Sequence, residues 1–379
     1  MQRIPIQERD NWKEKVRESG LLYFYTPKGL YWNEGAYYSF TKDESKKILE
    51  ATNELHELCL KAVQFVIDHK RFEDFSIPPE AVPLIVHSWE TGERGVYGRF
   101  DLSYGGDGTE PKMLEYNADT PTVLLESSVI QDDWRAEVFP EKGQINTLHS
   151  KLVDRWRVLN NAEHFERLNL AAVESVEDMM NVAYHEACAT EAGIQTHYHG
   201  MRQIEWDEKR NAFVDDTNTP IQTLFKLYPW EWIVKDKFGK RVFATWGKIR
   251  WIEPIWKMLL SNKAILPILW EMNPNHPYLL ECYRDGPRDM KSYVTKPILS
   301  REGANIEVVV NGVSTVTTSG DYSDEPKIFQ AFAPLPEFEG RRAVVGSWVV
   351  GDEPAGVGVR ESDSLVTDNY SQFVPHIVE

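Results

Sequence analysis

Apolar side chains at Ile48, Leu55, Leu58, Cys59, Ala62, Val63 and Val66 recur at helical spacing, which predicts one long amphipathic helix over 43–69. Thr41 and Glu44 mark its start as a capping box, in which hydroxyl and carboxylate each satisfy an amide of the first turn. Cys59 lies on the apolar stripe and reads as core rather than as a nucleophile. Further helices are predicted over roughly 122–135, 145–163 and 177–193, the last closed by Gly193. Strands are predicted at Val82–Trp89, Leu168–Val173, Ile194–Ile204, Lys327–Pro334, Ala343–Val350 and Gly356–Arg360. Pro78, Pro79 and Pro83 interrupt regular structure around the first of these. Strand–helix–strand alternation between 168 and 204, followed by a turn at Trp206–Lys209, predicts a small α/β unit. The aromatic segments before residue 41, with Tyr23, Tyr25, Tyr31, Trp32, Tyr37 and Tyr38, read as packing onto the body. Trp251–Trp270 is apolar enough to be buried and carries one conspicuous cation, Lys263.

Gly98–Thr122 follows a different pattern. Arg99 and Asp101 are two residues apart, as are Glu115 and Asn117, and residues so spaced on a strand share a face. Gly105-Gly106-Asp107-Gly108 lies between them as a turn signal, so the stretch predicts a hairpin with both pairs on a common face. Such alternation also describes the solvent side of an antiparallel sheet. The functional alternative is a set of oxygen donors, Asp101, Glu115 and Asn117, suited to a hard cation such as Mg²⁺. Arg99 beside them would neutralise a phosphate or a developing oxyanion. A second hairpin is predicted over Val294–Val310, with Lys296 on the entering strand and Ser300–Asn305 in a glycine-bearing loop able to fold over phosphates.

Composition narrows the class. The 379 residues suffice for a large core and two or three subdomains. A net charge of −17 argues against nucleic acid or an anionic membrane as the main partner. Cys59, Cys188 and Cys282 are odd in number and far apart, so neither a disulfide framework nor a zinc pattern follows and a reducing compartment fits. Charges fill the first residues where a signal peptide needs an apolar run, and no segment reaches the apolar length of a membrane span, so a cytoplasmic protein is expected. His197 and His199 share a strand face, but no third ligand stands at a metal-site spacing from them.

The motifs R-F-D (Arg99–Asp101), L-E-Y-N-A-D-T-P-T (Leu114–Thr122), S-N-K-A-I-L-P-I-L-W (Ser261–Trp270), K-P-I-L-S-R-E-G-A-N-I (Lys296–Ile306) and A-G-V-G-V-R-E-S-D-S-L-V-T (Ala355–Thr367) occur in that order. Together they resemble the synthetase domain of the glutathionylspermidine synthase family, closest to its stand-alone acid–amine ligase relatives. The resemblance covers nearly the whole chain and extends to no N-terminal amidase domain. It implies an α+β ATP-grasp fold with interleaved subdomains, whose antiparallel sheets hold ATP between two lobes. Approximate units are 1–165 with the metal hairpin and helices, 166–240 as the small α/β unit, and 241–379 as the nucleotide-binding lobe.

The implied activity is an ATP- and Mg²⁺-dependent ligation of a peptide-like or amino-acid carboxylate to an amine, through an acyl phosphate. By the same resemblance Asp101, Glu115 and Asn117 would hold two Mg²⁺ ions, and Arg99 and Arg360 would stabilise charge at the reacting groups. Arg99, Phe100, Asp101, Lys263, Lys296, Glu302, Gly303, Gln330, Ala331, Leu365, Val366 and Thr367 would form the nucleotide site. Thr120 and Thr122 would face the acid substrate, while Leu227 stands where a hydroxyl is expected, a departure that argues against glutathione. Glu174 and Glu177 are candidates to meet the amine. An ATPase or phosphotransferase of the same fold, or a nucleotide-binding regulatory protein, remain the alternatives.

Overall fold

The computed structural model describes residues 1–379. The predicted helix forms over Lys42–Asp68 with its capping box intact: Glu44 N–H donates to Thr41 Oγ1 at 3.2 Å, and Thr41 N–H donates to the Glu44 carboxylate at 2.8 Å. Its buried stripe, from Ile48 to Val66, joins a core shared with the largest sheet.

That sheet has six strands. Tyr97–Ser103 pairs on one side with Lys112–Asn117, completing the predicted hairpin, and on the other with Arg341–Val350. Glu353–Ser362 and Gln372–Val374 continue it, and the two-residue strand Glu337–Phe338 pairs with Arg341–Val350. All these pairings are antiparallel, so hairpin strands near residue 100 lie against strands near residue 345. The predicted units at 1–165 and 241–379 thus share one sheet. A second antiparallel sheet of five strands takes Cys282–Tyr283, Lys327–Ala331, Tyr293–Pro297, Glu307–Val310 and Val313–Thr317 in spatial order.

The α/β unit is a four-stranded sheet in the order Arg250–Ile252, Thr223–Leu227, Leu168–Ala172 and Thr196–Gly200, parallel throughout. Its outermost strand, Arg250–Ile252, lies past residue 240 in the chain. The connecting helix Val176–Glu191 begins at Ser175, whose hydroxyl accepts from Asp178 N–H at 3.1 Å. Fold class is therefore α+β, with antiparallel sheets joined to one parallel sheet.

Several element boundaries differ from expectation. Val82–Glu90 is a helix and not a strand. Its short apolar run carries either period, and Pro83 sits in the first turn, where a missing N–H is harmless. The helix expected from 122 begins at 124 and passes through a π-helical turn, Glu126–Ile130, before the α-helix Gln131–Val138. Trp251–Trp270 is no single element; after its strand it breaks into a 3₁₀ turn, Ile255–Lys257, and the helices Met258–Ser261 and Ile265–Met272. Lys327–Pro334 is strand only to Ala331, and Ile194–Ile204 only over Thr196–Gly200.

One buried ion pair ties the hairpin to the parallel sheet. Lys226 Nζ donates to Asp119 Oδ1 at 2.6 Å, and Trp230 N–H donates to Asp119 Oδ2 at 2.9 Å. Neither side chain is more than 1% exposed. Removing one member of such a pair strands the other charge in a low-dielectric interior. Asp119→Ala should lower the unfolding free energy by about 3–5 kcal/mol in urea denaturation, and the double change Asp119→Leu with Lys226→Met should recover most of it.

Candidate active site

A cavity of about 440 Å³ opens between the two antiparallel sheets. The C-terminal ends of the parallel strands Leu168–Ala172 and Thr223–Leu227 close a third side, where open α/β sheets commonly place their ligands. Of the side chains named from the sequence, Arg99, Asp101, Glu115, Asn117, Thr120, Thr122, Glu177, Leu227, Lys263, Lys296, Glu302, Gly303, Gln330, Ala331, Arg360, Leu365, Val366 and Thr367 all line it. The polar face of the hairpin is therefore no solvent face: Arg99 and Asp101 are each only 6% exposed.

Two residues fall elsewhere. Phe100 alternates to the opposite face of its strand and stacks on Tyr116 with ring centroids 3.8 Å apart, so its side chain is core and not cavity wall. Glu174 stands outside the cavity, 3.8 Å from Arg202.

Register sets the charge pattern. Asp101 lies opposite Glu115, and Arg99 opposite Asn117. Arg99 Nε donates to Asp101 Oδ1 at 2.8 Å, and Arg360 Nη2 donates to Asp101 Oδ2 at 2.7 Å, which places one carboxylate between two guanidinium groups. Arg99 Nη1 also donates to the Thr122 carbonyl at 2.6 Å. The next residue, Val123, has φ 63°, a strained value for a β-branched side chain, and it turns the chain at that carbonyl. Gly346 lies across from Asp101 on the neighbouring strand, and a Cβ there would stand 3.1 Å from Arg99 Cδ. The glycine keeps the channel that Arg99 occupies.

Glu115 meets the lysines. Lys263 Nζ lies 3.1 Å from Glu115 Oε2 and donates to the Ser300 carbonyl at 2.6 Å. Lys296 Nζ donates to Gln330 Oε1 at 2.7 Å and to the Leu114 carbonyl at 3.0 Å. Burial would raise the Glu115 pKa, but the Lys263 and Lys296 charges, with the Asn117 amide, outweigh it and hold the group at about 2. Burial lowers Lys296 to about 8 against the pull of Glu115. Gln330 is fixed by a bond to the Met113 carbonyl at 3.1 Å. The main-chain N–H groups of Ala331 and Phe332 are already bonded to the carbonyls of Glu281 and Ser292, so those residues present other atoms to the cavity.

The roof is two loops in contact. Glu302 and Gly303 both have positive φ, at 56° and 71°. A Cβ on Gly303 would sit 2.8 Å from the Thr367 carbonyl and from Val366 Cγ1, so only glycine permits this approach. Arg301 was not singled out in the sequence, although it lies inside the Lys296–Ile306 motif. It donates to Thr120 Oγ1 at 3.0 Å and to Glu231 Oε1 at 2.5 Å, joining the roof to the hairpin exit and the parallel-sheet wall. Ser175, Asp178 and Trp232 also escaped notice and line the cavity. Burial, with help from Glu177, raises Asp178 to about 6. Their signal was positional: each lies in or just beyond the loop that ends a parallel strand.

The donor set suits Mg²⁺. Asp101, Glu115 and Asn117 offer only oxygens and an amide, without sulfur or imidazole, and the cations around them can turn to bound anions.

A family model described as "Glutathionylspermidine synthase preATP-grasp" matches residues 3–379. The chain belongs to the glutathionylspermidine synthase family. It is an enzyme of the ATP-dependent, C–N bond-forming ligase class. A Haemophilus influenzae protein named "Putative acid–amine ligase" is 38% identical over 91% of this chain and 90% of its own length. The trypanothione synthetase of Crithidia fasciculata is 28% identical over 89% of this chain, and the bifunctional glutathionylspermidine synthetase/amidase of Escherichia coli 28% over 90%. This synthase-family chain spans only 56% and 59% of those two longer proteins. No helix is long and apolar enough to cross a membrane.

Lys263→Met should raise the Glu115 pKa by about 1–3 units, because it removes a cation held against the carboxylate. Carboxyl ¹³C NMR across a pH titration reads this directly. Glu115, depressed in the folded state, stabilises the fold above its unfolded pKa, and that contribution is lost as pH falls toward about 2. In the variant that contribution should be smaller, and its loss should be complete at a higher pH.

Proposed function

We propose that this enzyme joins a peptide-like or amino-acid carboxylate to an amine through an acyl phosphate, using ATP held between the two antiparallel sheets in an ATP-grasp arrangement. The supporting observation is the charge cluster: Asp101 between Arg99 and Arg360, and Glu115 beside Lys263, all on one cavity. Transfer of a phosphoryl group to a carboxylate brings anions together, so it calls for fixed cations and metal more than for a protein nucleophile. The three cysteines are buried and unpaired, which suits chemistry without a thiol and a reducing, cytoplasmic setting.

In this reading Asp101, Glu115 and Asn117 hold Mg²⁺, two ions by family resemblance. Bound there, Mg²⁺ neutralises phosphate charge as a Lewis acid. Lys263 and Lys296 bind nucleotide phosphates, releasing part of their hold on Glu115. Arg99 and Arg360 orient the reacting carboxylate and stabilise charge as the terminal phosphoryl group moves onto it and ADP leaves. Glu302 and Gly303, with the Leu365–Thr367 loop, exclude water, which would otherwise hydrolyse the acyl phosphate. The amine nitrogen then attacks the acyl carbon; phosphate departs, and the nitrogen loses a proton. Thr120 and Thr122 contact the acid. Leu227, apolar and 3% exposed, offers no hydroxyl at its place, which favours an acid other than glutathione.

ADP release should require both an acid and an amine from a peptide and polyamine panel. Release independent of both would favour an ATPase. Asp101→Ala should abolish ATP turnover, and normal turnover in that variant would sink the site assignment. Lys296, near half-protonated at pH 8 in the free enzyme, should take up as much as about half a proton when a polyanion binds beside it. Calorimetry of nucleotide binding in buffers of different ionisation enthalpy measures that uptake, and Lys296→Met should abolish it.

A further inference from the structure

The N-terminal end of the parallel sheet, away from the cavity, gathers a separate set of donors. His197 stands on the edge strand Thr196–Gly200. The chain leaves that strand, forms the hairpin of Glu205–Asp207 with Ala212–Val214, and returns at Asp215 and Asp216. One donor atom from each of His197, Asp215 and Asp216 lies within 4.8 Å of the others. His197 Nε2 is 2.7 Å from Asp216 Oδ1 and 4.0 Å from Asp215 Oδ2. A tetrahedral centre with bonds near 2.0–2.1 Å separates its ligands by about 3.4 Å, between these two values.

Two observations go beyond a chance grouping of acids. Asp215 is buried and oriented: its Oδ1 accepts from Thr217 N–H at 2.9 Å, Thr217 Oγ1 at 2.7 Å and Thr219 N–H at 3.0 Å, and Arg167 pairs with its Oδ2. The Thr217 and Thr219 contacts to Oδ1 are outer contacts of the kind that orient a ligating carboxylate, and they leave Oδ2, which Arg167 also holds, turned toward His197. Secondly, His199 is 2% exposed, shares the strand face of His197 with ring centroids 5.6 Å apart, and has a buried Nε2 with no partner. An imidazole nitrogen with no partner inside a protein is rare.

We propose that His197, Asp215 and Asp216, with His199 beside them, bind Zn²⁺ and fasten the 201–220 excursion to the sheet edge. Mixed imidazole and carboxylate donors suit zinc, whereas the oxygen-only set in the cavity suits Mg²⁺. None of the four residues lines the cavity, so this site stands apart from the ligase chemistry.

Tag-free protein, stripped with EDTA and dialysed against low-micromolar Zn²⁺ in excess Mg²⁺, should retain one zinc per chain by elemental analysis. Zinc should raise its melting temperature by mass action on the folded state. His197→Ala and Asp216→Asn, both partly exposed and compatible with folding, should weaken zinc binding at least about tenfold and abolish the thermal shift. ADP release in zinc-free buffer should match the unaltered enzyme. Failure of the unaltered chain to retain zinc under excess Mg²⁺, or equal retention by both variants, would overturn the assignment.

Discussion

Two carboxylates facing the cleft between the sheets are each held by cations, and much of this molecule is arranged to supply them. Asp101 takes guanidinium groups from its own strand and from Glu353–Ser362, two strands away across the sheet. Glu115 takes an ammonium from the loop that leads into the Ile265–Met272 helix, with a second on the neighbouring sheet. The charges thus come from parts of the chain as much as about 260 residues apart. Each pair draws a different segment toward one point, so the cluster constrains the meeting of the sheets as well as the chemistry between them. Its energetics are also poised: cations that neutralise carboxylates in the free protein are the ones an incoming polyanion would recruit.

The cavity joins three layers with different tasks. The six-stranded sheet contributes acids and arginines, and the five-stranded sheet contributes Lys296 and Gln330. The ends of the parallel strands contribute Ser175, Glu177, Asp178 and Trp232. Arg301 touches both the hairpin exit and the parallel-sheet wall, and the buried Lys226–Asp119 pair lies beneath the same junction. This strut ties the roof loop to the hairpin exit and the wall, since Thr120 and Glu231 are both its partners. The close approach of Gly303 to Thr367 shows how tightly the roof is drawn and why its residue is the smallest.

Much of the site was legible because strand geometry is local. The spacing of Arg99 and Asp101, and of Glu115 and Asn117, fixed a shared face, and the glycine-rich turn between them fixed the pairing of their strands. The same period places Phe100 in the core, although the motif containing it had suggested a nucleotide contact. Val82–Glu90 misled for the converse reason: a short apolar run carries no clear period, and proline is tolerated where a helix begins.

The sequence by itself determined the hairpin, the long capped helix, the family resemblance and the identity of most charged groups in the cleft. Those follow from periodicity, capping chemistry and motif order, all of which act over a few residues. Only the tertiary structure decided that the polar face of the hairpin looks into a cavity, that Arg360 and Arg99 share one carboxylate, and that Arg301 bridges three segments. It alone brought Asp215 and Asp216 to the histidine pair, whose third ligand no local spacing announces. These outcomes depend on sheet order and on packing between distant strands, and chain order carries no direct record of either.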